Sequence, residues 1–195
     1  MKLWIGFLVL HFLVLCTYLI ALASVTYVFD PILSVAFDSE FVGTLIFLPH
    51  GVRVLATILI GWQAVPTLLV AHIVGYVFIW SPDIDLSVLH AFLLCGVGAS
   101  CAWIVVAVAK FMPMAPTGLL TANPHWQTVL IVAFISSLIN SFGANIVMSL
   151  GSNIAWHSFD VRQVIVFIVG DVAGTFALLL IMLFSRKLWR LRAGI

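Results

Sequence analysis

The sequence is poor in charged residues and in cysteine. Only 8% of its 195 residues are Asp, Glu, Lys or Arg, whereas soluble domains have about 25%. The formal net charge of +1 provides no basic surface for nucleic acid. The cysteines Cys16, Cys95 and Cys101 all lie in apolar segments, so neither a disulfide framework nor a clustered metal site is predicted. We therefore expect no nucleic-acid partner, no metal and no cofactor.

Motifs for catalysis are also lacking. The chain has no Ser/His/Asp order, phosphate-binding loop or cluster of metal ligands that stands out from chance. Asp171 is the only carboxylate expected inside the membrane, so chemistry that needs two carboxylates has no second member there. The sequence therefore predicts a protein that is not an enzyme.

Apolar residues are abundant: 64% of the chain is hydrophobic, and the mean hydropathy is +1.27. We interpret residues 1–195 as one all-α transmembrane domain. A spanning helix needs about 20 mostly apolar residues, and six segments qualify: residues 3–28, 42–60, 64–80, 87–112, 126–150 and 161–185. The first apolar run, about 26 residues, exceeds the apolar part of a signal peptide, so we expect it to be retained as a span.

Only "GWQAVP" separates the second segment from the third. Gly61 is suited to the end of one helix, and Pro66 to the first turn of the next. The sequence therefore predicts a tight hairpin of two helices at this point.

Basic residues orient the predicted bundle, because they are retained on the cytoplasmic side of the membrane. With Arg162 as the exception, they fall at the N-terminus, in the fourth loop and at the C-terminus: Lys2, Lys110, Arg186, Lys187, Arg190 and Arg192. Acidic residues fall in the first, third and fifth loops: Asp30, Asp38, Glu40, Asp83, Asp85 and Asp160. We therefore predict a polytopic bundle of about six helices with both termini cytoplasmic, in the inner membrane of a bacterium.

Two charged residues, Arg53 and Asp171, belong to no predicted loop or terminus. Counted from the outer ends of their helices, both lie about 15 to 17 Å deep, near the middle of a hydrocarbon layer of about 30 Å. A charge at that depth is costly, so each should face the bundle interior and find a partner. We predict that they pair, either as a clasp between two helices or as the polar floor of a ligand or ion site.

Other polar residues of the spans complete the candidate ligand-binding cluster: His50, His72, Asn140 and Asn145. Pro49 and Gly51 are expected to break the second helix beside Arg53 and to leave a backbone carbonyl free. In the fifth span a polar residue recurs every four positions, at Ser137, Ser141, Asn145, Ser149 and Asn153, which predicts a ridge of hydrogen bonds to other helices.

Pairs of small residues four positions apart favour close helix packing. The sixth span has Gly170 and Gly174 on either side of Asp171, and the fourth span has Gly96 and Ser100. Close approach at the first pair would hold the Asp171 carboxylate near a neighbouring helix.

The segment "FLPHGVRVLATILIGWQAVPTLLVAHIVG", together with "GDVAGTFALLL" near the C-terminus, resembles the bacterial membrane-associated sensor domains of the MASE class. The matching positions are Pro49, Gly51, Gly61, Pro66, Asp171 and Gly174. Those domains usually have more spans and precede diguanylate cyclase or histidine kinase modules, whereas no such module follows "SRKLWRLRAGI" here. The resemblance implies membrane sensing through a ligand or a partner protein, and no enzymatic activity.

Three functions are thus open. The chain is a small sensory or regulatory membrane protein that binds an unidentified small molecule or partner protein, a substrate-binding component of a membrane transporter, or a structural subunit of a larger membrane complex. The lipid bilayer is a partner in each case. The C-terminal "SRKLWRLR" is either an anchor on anionic lipid or a plain topology signal.

Overall fold

The computed structural model describes residues 2–37, 45–80, 86–111, 125–151 and 161–193, and across these ranges the chain is helical with no strand. The helices are α1 (Lys2–Ser24), α2 (Asp30–Phe37), α3 (Leu48–Ile60), α4 (Ala64–Gly75), α5 (Val88–Ala109), α6 (Trp126–Gly151) and α7 (Val161–Ala193). A π-helical turn, Val25–Phe29, joins α1 to α2, and another, Tyr76–Trp80, extends α4. The predicted all-α fold is confirmed.

Five stretches are long and apolar enough to cross a membrane: Trp4–Leu33, Leu48–Ile79, Val88–Ala109, Trp126–Gly151 and Val161–Arg190. The first and the last have 30 residues each. At a rise of 1.5 Å per residue they are about 45 Å long, so they exceed a hydrocarbon layer of about 30 Å. Large apolar side chains are exposed on the outer faces of all five stretches, as a lipid-facing surface requires.

The stretch Leu48–Ile79 is bent at Gly61, which has φ +66° and ψ −142°. Positive φ favours glycine because a β-carbon is strained there. A 3-10 turn, Gly61–Gln63, follows, and Pro66 lies in the first turn of α4. The predicted end of one helix and start of the next are therefore confirmed.

The two arms of this stretch lie side by side. A β-carbon added at Gly98 of α5 would lie 3.2 Å from Arg53 Nη1 on α3 and would overlap the ring of His72 on α4. In a straight helix, residues 53 and 72 would be about 28 Å apart. Because both side chains reach Gly98, α3 and α4 form a helical hairpin.

Helix α3 begins later than the sequence predicts. Its first residue is Leu48, residues 45–47 are not helical, and residues 42–44 lie outside the described ranges. Pro49 lies in the first turn of the helix. Backbone N–H groups there have no acceptor within the helix, so the lack of an N–H in proline costs no hydrogen bond. The expectation that Pro49 and Gly51 break a helix is therefore wrong: they lie at the beginning of one.

Helix α3 is the central element of the bundle. Its residues Leu48 to Val54 are all buried, as are Ala56 and Thr57. One face packs with Tyr18, Leu22 and Leu68 of α1 and α4, and Val54 packs with apolar residues of α5 and α6: Ala102, Val105, Val106, Val129, Val132 and Ala133. Polar side chains of α3 therefore meet other helices and not lipid.

Close packing occurs at one of the two predicted small-residue pairs. A β-carbon at Gly174 would overlap the carbonyl group of Phe47, and one at Gly51 would lie 3.0 Å from Thr175 Cα. The close packing predicted at Gly96 is wrong: a β-carbon added there would lie within 4 Å of no atom of the described chain. Ser100 instead donates a hydrogen bond to the Gly96 carbonyl, 2.7 Å away, in its own helix.

Two predicted helix ends are also corrected. Asp30 was expected in a loop, but it begins α2, and the helical chain continues to Phe37 instead of ending near residue 28. Helix α7 continues to Ala193, beyond the expected end at residue 185. The remaining acidic residues assigned to loops lie outside the described ranges: Asp38, Glu40, Asp83, Asp85 and Asp160.

Candidate functional site

Arg53 lies at the centre of a buried polar cluster and is 1% exposed. Its Nη2 is 3.4 Å from Asp171 Oδ1, so the predicted pairing is present. Its Nη1 donates to the Gly98 carbonyl and to Asn140 Oδ1, at 3.1 Å each. One guanidinium thus joins α3 to α5, α6 and α7.

Asn140 bridges the two charges. It accepts from Arg53 and donates through Nδ2 to Asp171 Oδ2, 2.9 Å away. An ionised carboxylate only accepts and a guanidinium only donates, so these two neighbours fix which end of the amide faces which charge. The three side chains form a closed triangle of opposite charges and one amide.

His50 contacts the same carboxylate from the first turn of α3. Its Nδ1 is 3.2 Å from Asp171 Oδ2, within ion-pair distance but without hydrogen-bond geometry. On the other side of the ring, Nε2 is 3.1 Å from the Ala133 carbonyl oxygen and 3.1 Å from Ser136 Oγ. The imidazole therefore fills the space between α6 and α7.

Contacts of the backbone position α3 against α7. The Phe47 N–H donates to the Gly170 carbonyl at 2.9 Å, and the absence of a side chain at Gly174 admits the Phe47 carbonyl. The Phe47 ring lies 5.5 Å from the Arg53 guanidinium carbon, which is a cation-π distance. These contacts place the positive end of the α3 dipole beside the Asp171 carboxylate, an arrangement that stabilises the anion.

His72 lies at the edge of the cluster. Its Nδ1 is 2.8 Å from the Leu68 carbonyl, to which it must donate, so Nε2 accepts from the Tyr18 hydroxyl at 3.0 Å. The two rings lie 4.7 Å apart. Gly98 allows the imidazole to approach α5 next to Arg53.

Asn145 is not brought into the cluster. Its Nδ2 donates to Gln163 Oε1, 3.3 Å away, which is a separate contact between α6 and α7. Of the six residues predicted for the site, the structure thus brings together His50, Arg53, Asn140 and Asp171, with His72 beside them.

The ridge of polar residues on α6 bonds to another helix as predicted at Asn145, but not at Ser137 or Ser149. Ser137 donates to the Phe134 carbonyl and Ser149 to the Ile146 carbonyl, each at 2.8 Å and each within the helix itself. Ser136 is the serine that reaches another helix, through His50. Asn153 lies outside the described residues.

Sequence reasoning did not identify Tyr18, Gln163, Phe47 or the role of Ser136. Tyr18 is one aromatic residue in a long apolar run, and its position alone carries no signal. Gln163 stands at the beginning of α7, where a polar residue is expected at a membrane surface. Ser136 lies outside the four-residue repeat of polar residues on α6, so that pattern does not single it out.

Several buried polar atoms have no hydrogen-bond partner within the described ranges: His11 Nε2, His50 Nδ1, Arg53 Nε, Thr57 Oγ1 and Ser141 Oγ. Two of these, on His50 and Arg53, belong to the cluster. Among the residues that the structure describes, no three His, Cys, Asp or Glu side chains come together as a metal site. The side chains of the cluster can pair opposite charges, and its titratable groups can bind or release a proton.

In comparisons with known proteins, no family model, no curated protein and no solved structure matches the chain. The function is therefore argued from the site itself.

Proposed function

We propose that this chain is a non-enzymatic sensory or regulatory protein of the bacterial inner membrane, and that the buried Arg53–Asp171 cluster is its responsive element. The observation that carries the proposal is the cluster itself, in which a pair of opposite charges and a histidine join four helices far from solvent. Ionisable residues at membrane depth are costly, and they commonly mark function.

The proposed topology has six crossings and two cytoplasmic termini. The hairpin of α3 and α4 supports it, because a chain that reverses at Gly61 crosses twice where a straight helix would cross once. The cluster also lies near the middle of α5, where Gly98 is the eleventh of 22 residues. The basic residues Lys2, Lys110 and Arg186 then all fall on one side.

Helix α7 supports a regulatory role. It carries Asp171 and continues to Ala193 as one helix, a distance of about 33 Å at 1.5 Å per residue. A change in the contacts of Asp171 would therefore move the basic C-terminal turns with the rest of the helix. Such coupling would serve the membrane sensing that the resemblance to MASE-class sensor domains implies.

The second candidate is a structural subunit of a larger membrane complex. The closed triangle of Arg53, Asn140 and Asp171 favours it, since charges that satisfy one another make a clasp. The third candidate, a substrate-binding component of a transporter, requires a substrate that displaces Asp171 from Arg53.

Native mass spectrometry of the full chain tests the proposal. We expect wild-type protein, purified in mild detergent, to retain a stoichiometric partner protein or small molecule. The double variant Arg53→Met/Asp171→Leu removes both charges together, so it should keep its helical content and lose the bound species. Asn145→Ala, outside the cluster, is the control and should retain it.

A double variant that binds as wild type does would contradict the proposed role and support the clasp. A retained protein partner whose binding depends on the cluster favours regulation, whereas a retained small molecule that proteoliposomes also transport favours the third candidate.

A further inference from the structure

The two nitrogens of His50 face acceptors on both sides of the ring. On the Nε2 side the Ala133 carbonyl oxygen, 3.1 Å away, can only accept a hydrogen bond. Ser136 donates to that same carbonyl at 3.2 Å, so its oxygen is free to accept from Nε2 as well. The Ala133 carbonyl therefore requires a proton on Nε2, and the Ser136 hydroxyl is able to accept it.

On the Nδ1 side the neighbour is Asp171 Oδ2, 3.2 Å away, which already accepts from Asn140. A neutral imidazole with its proton on Nε2 has a lone pair on Nδ1. That lone pair lies close to a carboxylate oxygen, 3.2 Å from Nδ1, and in a buried site two acceptors in contact are unfavourable. Nδ1 makes no hydrogen bond among the described contacts, so the imidazole must turn slightly before Nδ1 and Oδ2 can share a proton.

The opposite tautomer does not remove the conflict. With the proton on Nδ1, the Nε2 lone pair faces the Ala133 carbonyl oxygen instead. Ser136 can then donate to Nε2, but it gives up its bond to Ala133 and the carbonyl contact still joins two acceptors. A neutral ring next to an ionised Asp171 thus leaves one unfavourable contact in either form.

We propose that His50 and Asp171 form an intramembrane proton-binding site. One proton taken from water and held between Nδ1 and Oδ2 turns this contact between two acceptors into a hydrogen bond, whether it is carried by the ring or by the carboxyl group. The cluster then changes from neutral to singly positive. This inference rests on the geometry of the pair and not on the sensory role.

Groups from all the surrounding helices act on the bound proton. Arg53 on α3 opposes it by charge, and the neutral side chains Asn140 and Ser136 of α6 hold the carboxylate and the ring in place. Further out lie the ionisable groups of α1, α4 and α5: Tyr18, His72 and Cys101. Asp171 is the anionic group that makes binding favourable.

Proton binding would tighten the junction of α3 and α7. The His50–Asp171 contact is adjacent to the bond from the Phe47 N–H to the Gly170 carbonyl, so both contacts hold the start of α3 against the same turn of α7. A proton at this site therefore couples the charge of the cluster to the position of α7.

Solid-state or solution NMR of the full chain in lipid nanodiscs tests the site. The chain has six histidines, and the His50 ring signals are assigned by their loss in His50→Gln. With ¹⁵N-labelled His and ¹³C-labelled Asp, we expect either the ring or the Asp171 carboxyl signal to shift to its protonated form between about pH 8 and about pH 5. Asn145→Ala, which leaves the cluster intact, should show the same transition.

Asp171→Asn keeps the shape of the carboxylate and removes its negative charge, so His50 should stay neutral over the whole range. If that variant does not fold, the wild-type signals alone decide. Ring and carboxyl signals that both keep their high-pH form would overturn the proposal, as would a His50 transition that is unchanged in folded Asp171→Asn. Neither outcome depends on the native mass spectrometry that tests the proposed function.

Discussion

Among single residues, Asn140 gives the Arg53–Asp171 contact its specificity, because one amide serves both charges. The pairing itself could be predicted, since these two charged residues were assigned to no loop or terminus and lie at matching depth with opposite sign. The choice of Asn140 over Asn145 could not be predicted from their residue type. The two lie five positions apart, which is about 140° around a helix, so only one can face the cluster, and the sequence does not say which.

The charge pair should show strong energetic coupling. Removal of one partner leaves the other buried and uncompensated, at a cost of about 3 to 5 kcal/mol in buried soluble pairs. Arg53→Met and Asp171→Leu should each lower the thermal stability in detergent strongly, and the double variant should lose much less than the sum. Thermal unfolding of the four proteins measures this coupling, and losses that simply add would show that the pair contributes no interaction energy.

Gly174 and Gly96 form a matched pair for a test of packing. A β-carbon at Gly174 overlaps the Phe47 carbonyl, whereas one at Gly96 meets no atom of the described chain within 4 Å. Gly174→Ala should therefore destabilise the protein by about 1 to 3 kcal/mol, the range for overpacking, and Gly96→Ala should leave it unchanged or more stable. Equal unfolding temperatures for the two variants would contradict the close approach of α3 to α7.

At the level of helices, the type of each element was predictable and its ends were not. Long apolar runs predict helices because the bilayer offers no other partner to the backbone. The predicted beginning of α3 was too early because residues 45–47 are as apolar as the residues of a transmembrane helix. In the structure they are not helical, and the Phe47 N–H donates to the Gly170 carbonyl of α7. That error placed His50 in the middle of a helix, whereas it lies in the first turn of α3.

The last turns of α7 form an exposed basic helix. Trp189 and Arg190 are exposed, and α7 continues without a break past both. Each basic residue near an anionic leaflet contributes about 1 kcal/mol, so Arg190→Gln/Arg192→Gln should retain fewer anionic lipids in native mass spectrometry. Arg162→Gln, at the opposite end of α7, is the control. Equal lipid retention by the tail variant and wild type would leave the basic turns as a topology signal alone.

For the molecule as a whole, the proposed number of crossings depends on the hairpin. Five straight crossings would place the termini on opposite sides, whereas the proposed topology, in which the chain reverses at Gly61 and crosses six times, places them on the same side. The central position of α3 is seen in its packing, since apolar residues of α1, α4, α5 and α6 lie against it. Arg53 can be buried because it lies on this inner helix.

Reporter fusions test the topology directly. With six crossings and cytoplasmic basic ends, a reporter that is active only in the cytoplasm should work at Met1 and after Ile195, and it should be inactive when inserted near Asp83. The turn at Gln63, between α3 and α4, should be cytoplasmic as well. Activity at Met1 but not at Ile195 would indicate an odd number of crossings. In that case α3 and α4 could not both cross the membrane in opposite directions. The depth of Arg53 in the bilayer would then need a different explanation.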